Sequence, residues 1–220
     1  EAYRYARGLP VVHPYHGARV QIGTPLDFLV VSDHAEFLGL IRHVYEQGAP
    51  TDGLGPIDTV HAWLSSLAIK TGIDTRWGAL LFGSRLPDSE DPRVAGERIA
   101  EQGFSLGGIQ ANPDISRQVW SEITAAADAY NDPVDFTALI GWEWSSNAGG
   151  ANLHRIVITD GDAASANQYL PFSFLDSAFP EDLWAWLADT TETVGADFIA
   201  IPHNSNISKG YMFDTETLRG

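Results

Sequence analysis

The 220-residue chain carries 29 acidic residues against 13 Lys and Arg, a formal net charge of −16, and no cysteine. A field of that sign repels nucleic-acid phosphates and anionic lipid, so neither nucleic acid nor membrane is an expected partner. Without thiols there is no disulfide, thiolate zinc site or cysteine nucleophile, and any metal must be held by His, Asp, Glu and water, a set that suits Zn, Mn or Fe.

The chain opens at Glu1 within a short helical pattern that ends at Gly8. Leu26 to His34 is an apolar, β-branched run bounded by Pro25, and it predicts a buried strand ending in Ser32-Asp33-His34. Phe37, Leu38, Ile41, Val44 and Tyr45 recur at helical spacing, which predicts a helix over 35–47 stopped by Gly48. The region from Thr51 to Pro133 reads as mainly helical. Asp58 caps a helix to Lys70, Pro92 starts a second that runs to Gly103, and Asp114 precedes a third that ends near Tyr130. Loops are expected at 53–56, 87–92 and 131–133.

Strand signals return at 135–144 and 153–159, a helix is predicted over 183–194 after Pro180, and a last strand runs over 197–203. Strands alternating with helices imply a parallel sheet, either doubly wound or closed into a barrel. In a barrel the reactive residues gather where strands end. Three of the four apolar strands end in a residue of metal-ligand type: His34, Glu143 and His203. His154 differs, because it lies near the start of its strand.

Each of these residues has a plainer reading. Asp33 and His34 would serve as a helix cap and a surface histidine. Glu143, between Trp142 and Trp144, would point to solvent; buried, it needs a partner or an ion. His154 would be half of an ordinary strand pair, and His203 a polar loop residue. The four gain weight together because they fall at matching ends of neighbouring elements. His43 and His61 sit within predicted helices, where packing or solvent explains them, and His13 and His16 lie in a Pro/Tyr loop.

The blocks Leu26 to Gly39, Gly141 to Trp144, Asn152 to Arg155 and Ile201 to Gly210 resemble the PHP-like superfamily, named for polymerase and histidinol phosphatase. More closely they resemble a bacterial branch catalogued as a domain of unknown function. The resemblance implies a distorted (β/α)7 TIM-like barrel spanning residues 1–220, partial in this chain, with a mainly helical insertion at about 45–133. It implies a centre of two or three divalent ions with His34, Glu143, His154 and His203 as ligands and Asp33 as a ligand or orienting partner. The family's N-terminal His-x-His and C-terminal Asp-x-His pairs do not occur here, so a longer parent chain is expected.

The implied activity is hydrolysis by a metal-activated water, with phosphoesters as the leading substrates and an anionic small molecule as the expected partner. Asp33 and Arg155 are the candidate catalytic residues. Arg155 and Lys209 would contact phosphate, and Asn204 and Asn206 would position substrate, although solvated surface roles suit these charges equally. Two alternatives stand beside this reading: hydrolysis of another ester or an amide, and a non-catalytic metal- or carbohydrate-binding module built on Trp142, Trp144, Trp184 and Trp186, whose plainer role is core packing. The acidic, cysteine-free composition slightly favours a periplasmic or secreted location.

Overall fold

The computed structural model of the chain describes residues 1–75, 90–106 and 108–219. In chain order these form α1 (Ala2–Ala6), β1 (Val11–Val12), β2 (Arg19–Val20), β3 (Phe28–Val31), α2 (Leu40–Gln47), α3 (Pro56–Asp74), α4 (Pro92–Gln102), α5 (Pro113–Tyr130), β4 (Thr137–Trp144), β5 (Arg155–Thr159), α6 (Ala163–Ala166), α7 (Pro180–Val194) and β6 (Phe198–Pro202). Part of the expected loop at 87–92 lies outside the described residues.

Helix starts follow local chemistry. Proline opens α3, α4, α5 and α7, where its missing N–H is no loss. Asp91 caps α4 and Asn112 caps α5 through side-chain oxygens that accept first-turn amides. Asp58 therefore sits inside the first turn of α3 rather than capping it, where its charge suits the positive helix end. The helix expected from residue 35 begins only at Leu40. Phe37 and Gly39 adopt φ values of 54° and 75°, which no right-handed helix contains. A Cβ at Gly39 would also lie 2.4 Å from Val119 Cγ2, so the close approach of α5 reserves that position for glycine.

The main sheet has the order β3-β4-β5-β6. β3 and β4 are parallel, but β4 with β5 and β5 with β6 are antiparallel. This overturns the expected (β/α)7 barrel, which needs every neighbouring pair parallel and the last strand closed onto the first. Among the described residues the sheet is mixed and open, with β3 and β6 as its edges. The physical reason lies in the link from β4 to β5. Residues 145–154 contain one short 3-10 turn and no crossover helix, and a parallel return needs about a dozen residues or more. Helices α2 to α5 lie between β3 and β4, the one parallel pair. A separate two-residue hairpin pairs β1 with β2.

One face of the sheet is covered. Ala138, Ile140, Trp142 and Trp144 alternate inward along β4 and pack with Trp120 of α5, Tyr169, and Leu183 and Leu187 of α7. Trp120, Trp142 and Trp144 are fully buried, and each indole N–H donates to a carbonyl: Ala166 (2.8 Å), Phe172 (3.0 Å) and Ser177 (3.1 Å). Such satisfied rings bury large apolar areas without stranding a donor. The opposite face is partly open: Phe28, Ile199 and Ile201 are exposed there. Among the described residues no helix is long and apolar enough to cross a membrane.

Candidate metal centre

Strand parity decides which side chains meet. Paired residues in a ladder point to the same face, and successive residues alternate. Glu143 pairs with Ile156 of β5, so it shares a face with His154, two residues earlier. The β5–β6 ladder pairs Arg155 with Pro202, and one step further the backbone N–H of His203 donates to the carbonyl of His154 (3.2 Å). On the other side, His34 forms a parallel bridge with Glu143. The Glu143 N–H donates to the Asp33 carbonyl (2.8 Å) and the Ala35 N–H donates to the Glu143 carbonyl (3.0 Å). Backbone pairing thus brings His34, Glu143, His154 and His203 side by side at neighbouring ends of the four strands.

The side chains converge on the Glu143 carboxylate. Its Oε1 lies 2.7 Å from His154 Nδ1 and 3.2 Å from His203 Nε2, and its Oε2 lies 3.9 Å from His34 Nε2. Glu143 and His154 expose only 13% and 15% of their side chains, whereas His34 exposes 63% and forms the open side of the group. Glu143, His154 and His203 bring one ligand atom each to within 4.8 Å of one another. The other ring nitrogens of the two histidines, His154 Nε2 and His203 Nδ1, are buried with no hydrogen-bond partner among the described residues. Burial holds His154 below the ordinary histidine range, against the pull of the Glu143 carboxylate, so its ring is neutral near pH 7. Two imidazoles, a carboxylate and unsatisfied buried nitrogens fit a divalent ion of the Zn, Mn or Fe type.

The other expected site residues fall differently. Asp33 contributes its backbone carbonyl to the ladder, and its side chain is exposed. Arg155 points to the covered face, opposite Glu143. Its guanidinium is buried between Trp144 and Trp184, 5.6 and 5.8 Å from their ring centres, and donates to the Leu153 carbonyl. It is therefore not placed to touch a substrate at the centre. Burial pushes it down to about 10 while the Glu181 carboxylate acts the other way, and it stays charged at neutral pH. Lys209 Nζ donates to the Gly149 carbonyl (2.6 Å) and ties the segment after β6 to the β4–β5 link. Asn204 adopts φ 59° ahead of a 3-10 turn, and Asn206 is exposed within that turn. Trp142 and Trp144 are sealed in the core and present no free ring face to a sugar.

Three contributors escaped the sequence reading. Glu36 is buried beside His34, with Oε2 3.7 Å from His34 Nδ1. Ser145, directly after β4, bonds that same nitrogen through its hydroxyl. Asn152 is buried and accepts the His154 N–H (3.3 Å), which shapes the entry into β5. The acid two residues after the Asp33-His34 pair was the available signal for Glu36. Ser145, His34 and Glu36 do not form a nucleophilic triad, because serine and acid would have to hold opposite ring nitrogens and here both face Nδ1.

A family model described as "Protein of unknown function (DUF3604)" matches residues 1–220. No curated protein and no solved structure matches the chain.

Proposed function

We propose that this chain, which belongs to the DUF3604 family, carries the metal centre of a hydrolase. The observation that carries the reading is the convergence of His154 and His203, at the ends of adjacent strands, onto the Glu143 carboxylate, with two buried imidazole nitrogens left unsatisfied. Glu143, His154 and His203 would hold one divalent ion. His34 stands 3.9 Å from the second oxygen of Glu143 and would be the residue to help hold a further ion. The resemblance of four sequence blocks to the PHP-like superfamily supports two or three ions in all.

The bound ions would supply Lewis acidity and a water ionised near neutral pH. The chain's own residues do the rest. The β4 and β5 backbones fix Glu143 and His154, burial keeps His154 neutral and ready to donate a lone pair, and the exposed edge of His34 leaves the group open to solvent and substrate. Phosphoesters are the leading substrate class, on the strength of the superfamily resemblance.

One observation favours the second reading, an uncharged ester or an amide. Arg155, one of the two cations expected to grip phosphate, is committed to the core, and a net charge of −16 does not attract anions. The test is a paired assay of aryl phosphate mono- and diesters against aryl acetate, on protein stripped and then reloaded with Zn, Mn or Fe. Metal-dependent phosphate release lost in Glu143→Ala supports the leading reading. Metal-dependent turnover of the acetate alone moves the assignment to carboxyl esters, and no turnover with no bound metal overturns both.

A further inference from the structure

Glu36 exposes 7% of its side chain, although it carries a charge and lies only two residues beyond His34. A carboxylate is buried at considerable cost unless its oxygens are satisfied. Oε1 is satisfied twice: it accepts the Ser145 N–H (3.0 Å) and the Phe174 N–H (3.1 Å), amides from two separate segments. Oε2 is buried and has no hydrogen-bond partner among the described residues. It faces His34 Nδ1 at 3.7 Å. The carboxylate is thus anchored by its first oxygen so that the second is presented to one ring nitrogen.

We propose that Glu36 is a positioning residue that keeps the His34 proton on Nδ1, so that the Nε2 lone pair is turned toward Glu143. An imidazole's free nitrogen is chosen by the bond that its other nitrogen makes. Glu36 Oε2, which can only accept, stands at Nδ1 beside the Ser145 hydroxyl, which can accept or donate, and the Nδ1–H tautomer is the one that answers the carboxylate. The opposite nitrogen is the one 3.9 Å from Glu143 Oε2. The purpose of this arrangement rests on the metal-centre reading above; the tautomer itself does not.

The experiment is nitrogen NMR on histidine-labelled, metal-free protein at alkaline pH, with the His34 signals assigned by their loss in His34→Ala. The expected wild-type result is the Nδ1–H tautomer. In Glu36→Gln the amide oxygen keeps the two backbone donors and the NH2 group faces Nδ1, so the ring is expected to switch to Nε2–H. Zinc affinity, measured by titration, is then expected to fall about 10- to 100-fold, with Glu36→Asp recovering part of it. A wild-type Nε2–H tautomer overturns the proposal whether or not the variant folds. So does a folded Glu36→Gln with unchanged tautomer and zinc affinity. Should wild type show Nδ1–H and bind no zinc, manganese or iron, the positioning role stands and the metal-centre reading fails.

Discussion

His154 and His203 face each other across the β5–β6 ladder, their ring centres 5.8 Å apart, because the backbone N–H of one donates to the carbonyl of the other. Their spacing is therefore a property of the sheet, and the ions are expected to bind a largely preformed group. Metal content by elemental analysis should be lost in Glu143→Ala and His203→Ala. It should persist in Asp33→Asn, whose side chain is exposed and whose carbonyl is unaffected. Retention of metal in both alanine variants would sink the assignment of the centre. Chelation should lower the thermal midpoint of wild type, since a ligand bound only to the native state stabilises it by mass action.

Two of the histidines around Glu143, His34 and His154, should titrate on opposite sides of the ordinary value. His34 is raised, chiefly by the Glu36 carboxylate beside its Nδ1, with burial opposing and the Glu143 charge adding. His154 is lowered, chiefly by burial, which outweighs Glu143. For His34 the folded value exceeds the unfolded one, about 6.5. Its stabilising contribution is present below that value and lost as pH rises through the folded one. For His154 the contribution is present above the unfolded value and lost as pH falls through the folded one. Proton NMR titration of the metal-free protein checks the order: His154 titrating above His34 would contradict the described environment.

Gly141→Ala tests how closely the strands approach beside the centre. A Cβ at this position would lie 2.5 Å from the Val157 carbonyl oxygen and 2.7 Å from Val30 Cγ2. The first of these is backbone and cannot rotate away. The substitution should cost about 1–3 kcal/mol in denaturant unfolding and weaken metal binding, because Glu143 is two residues further along the strand. Stability within a few tenths of a kcal/mol of wild type would show that the strands give way easily.

Arg155→Ala should behave as a core lesion rather than a catalytic one. The guanidinium fills the space between Trp144 and Trp184, so its removal leaves a cavity and an uncompensated Glu181. A loss on the order of 2 kcal/mol or more is expected from the cavity and lost packing, with metal stoichiometry unchanged. A stable variant that binds metal but hydrolyses no substrate would return Arg155 to the reaction.

The grouping of the candidate ligands could be anticipated from residue order, because a ligand-type residue at the end of an apolar run is visible without knowing the sheet. His34, Glu143, His154 and His203 are the group that the ladder assembles. Strand direction was not readable in the same way. An apolar run such as Phe198 to Pro202 looks the same whichever way its neighbour runs. The brevity of 145–154 was the clue that β5 turns back on β4. Arg155 was misplaced for a related reason. It directly follows His154, and in a strand one step along the chain is the difference between two faces. Glu36 passed unnoticed because an acid early in a predicted helix looks ordinary there, whereas positive φ at Phe37 and Gly39 removes that turn from the helix.

The ladder registers also make the centre an all-or-none feature. Sliding β6 by a single residue against β5 would send His203 to the tryptophan-filled side and bring Pro202 or Asn204 in its place, with no intermediate setting. Changes far from the histidines that alter how the two strands align, such as a one-residue insertion in the segment joining α7 to β6, should therefore abolish ion binding outright rather than weaken it by degrees. Conversely, substitutions of exposed side chains on these strands that preserve alignment should leave it untouched.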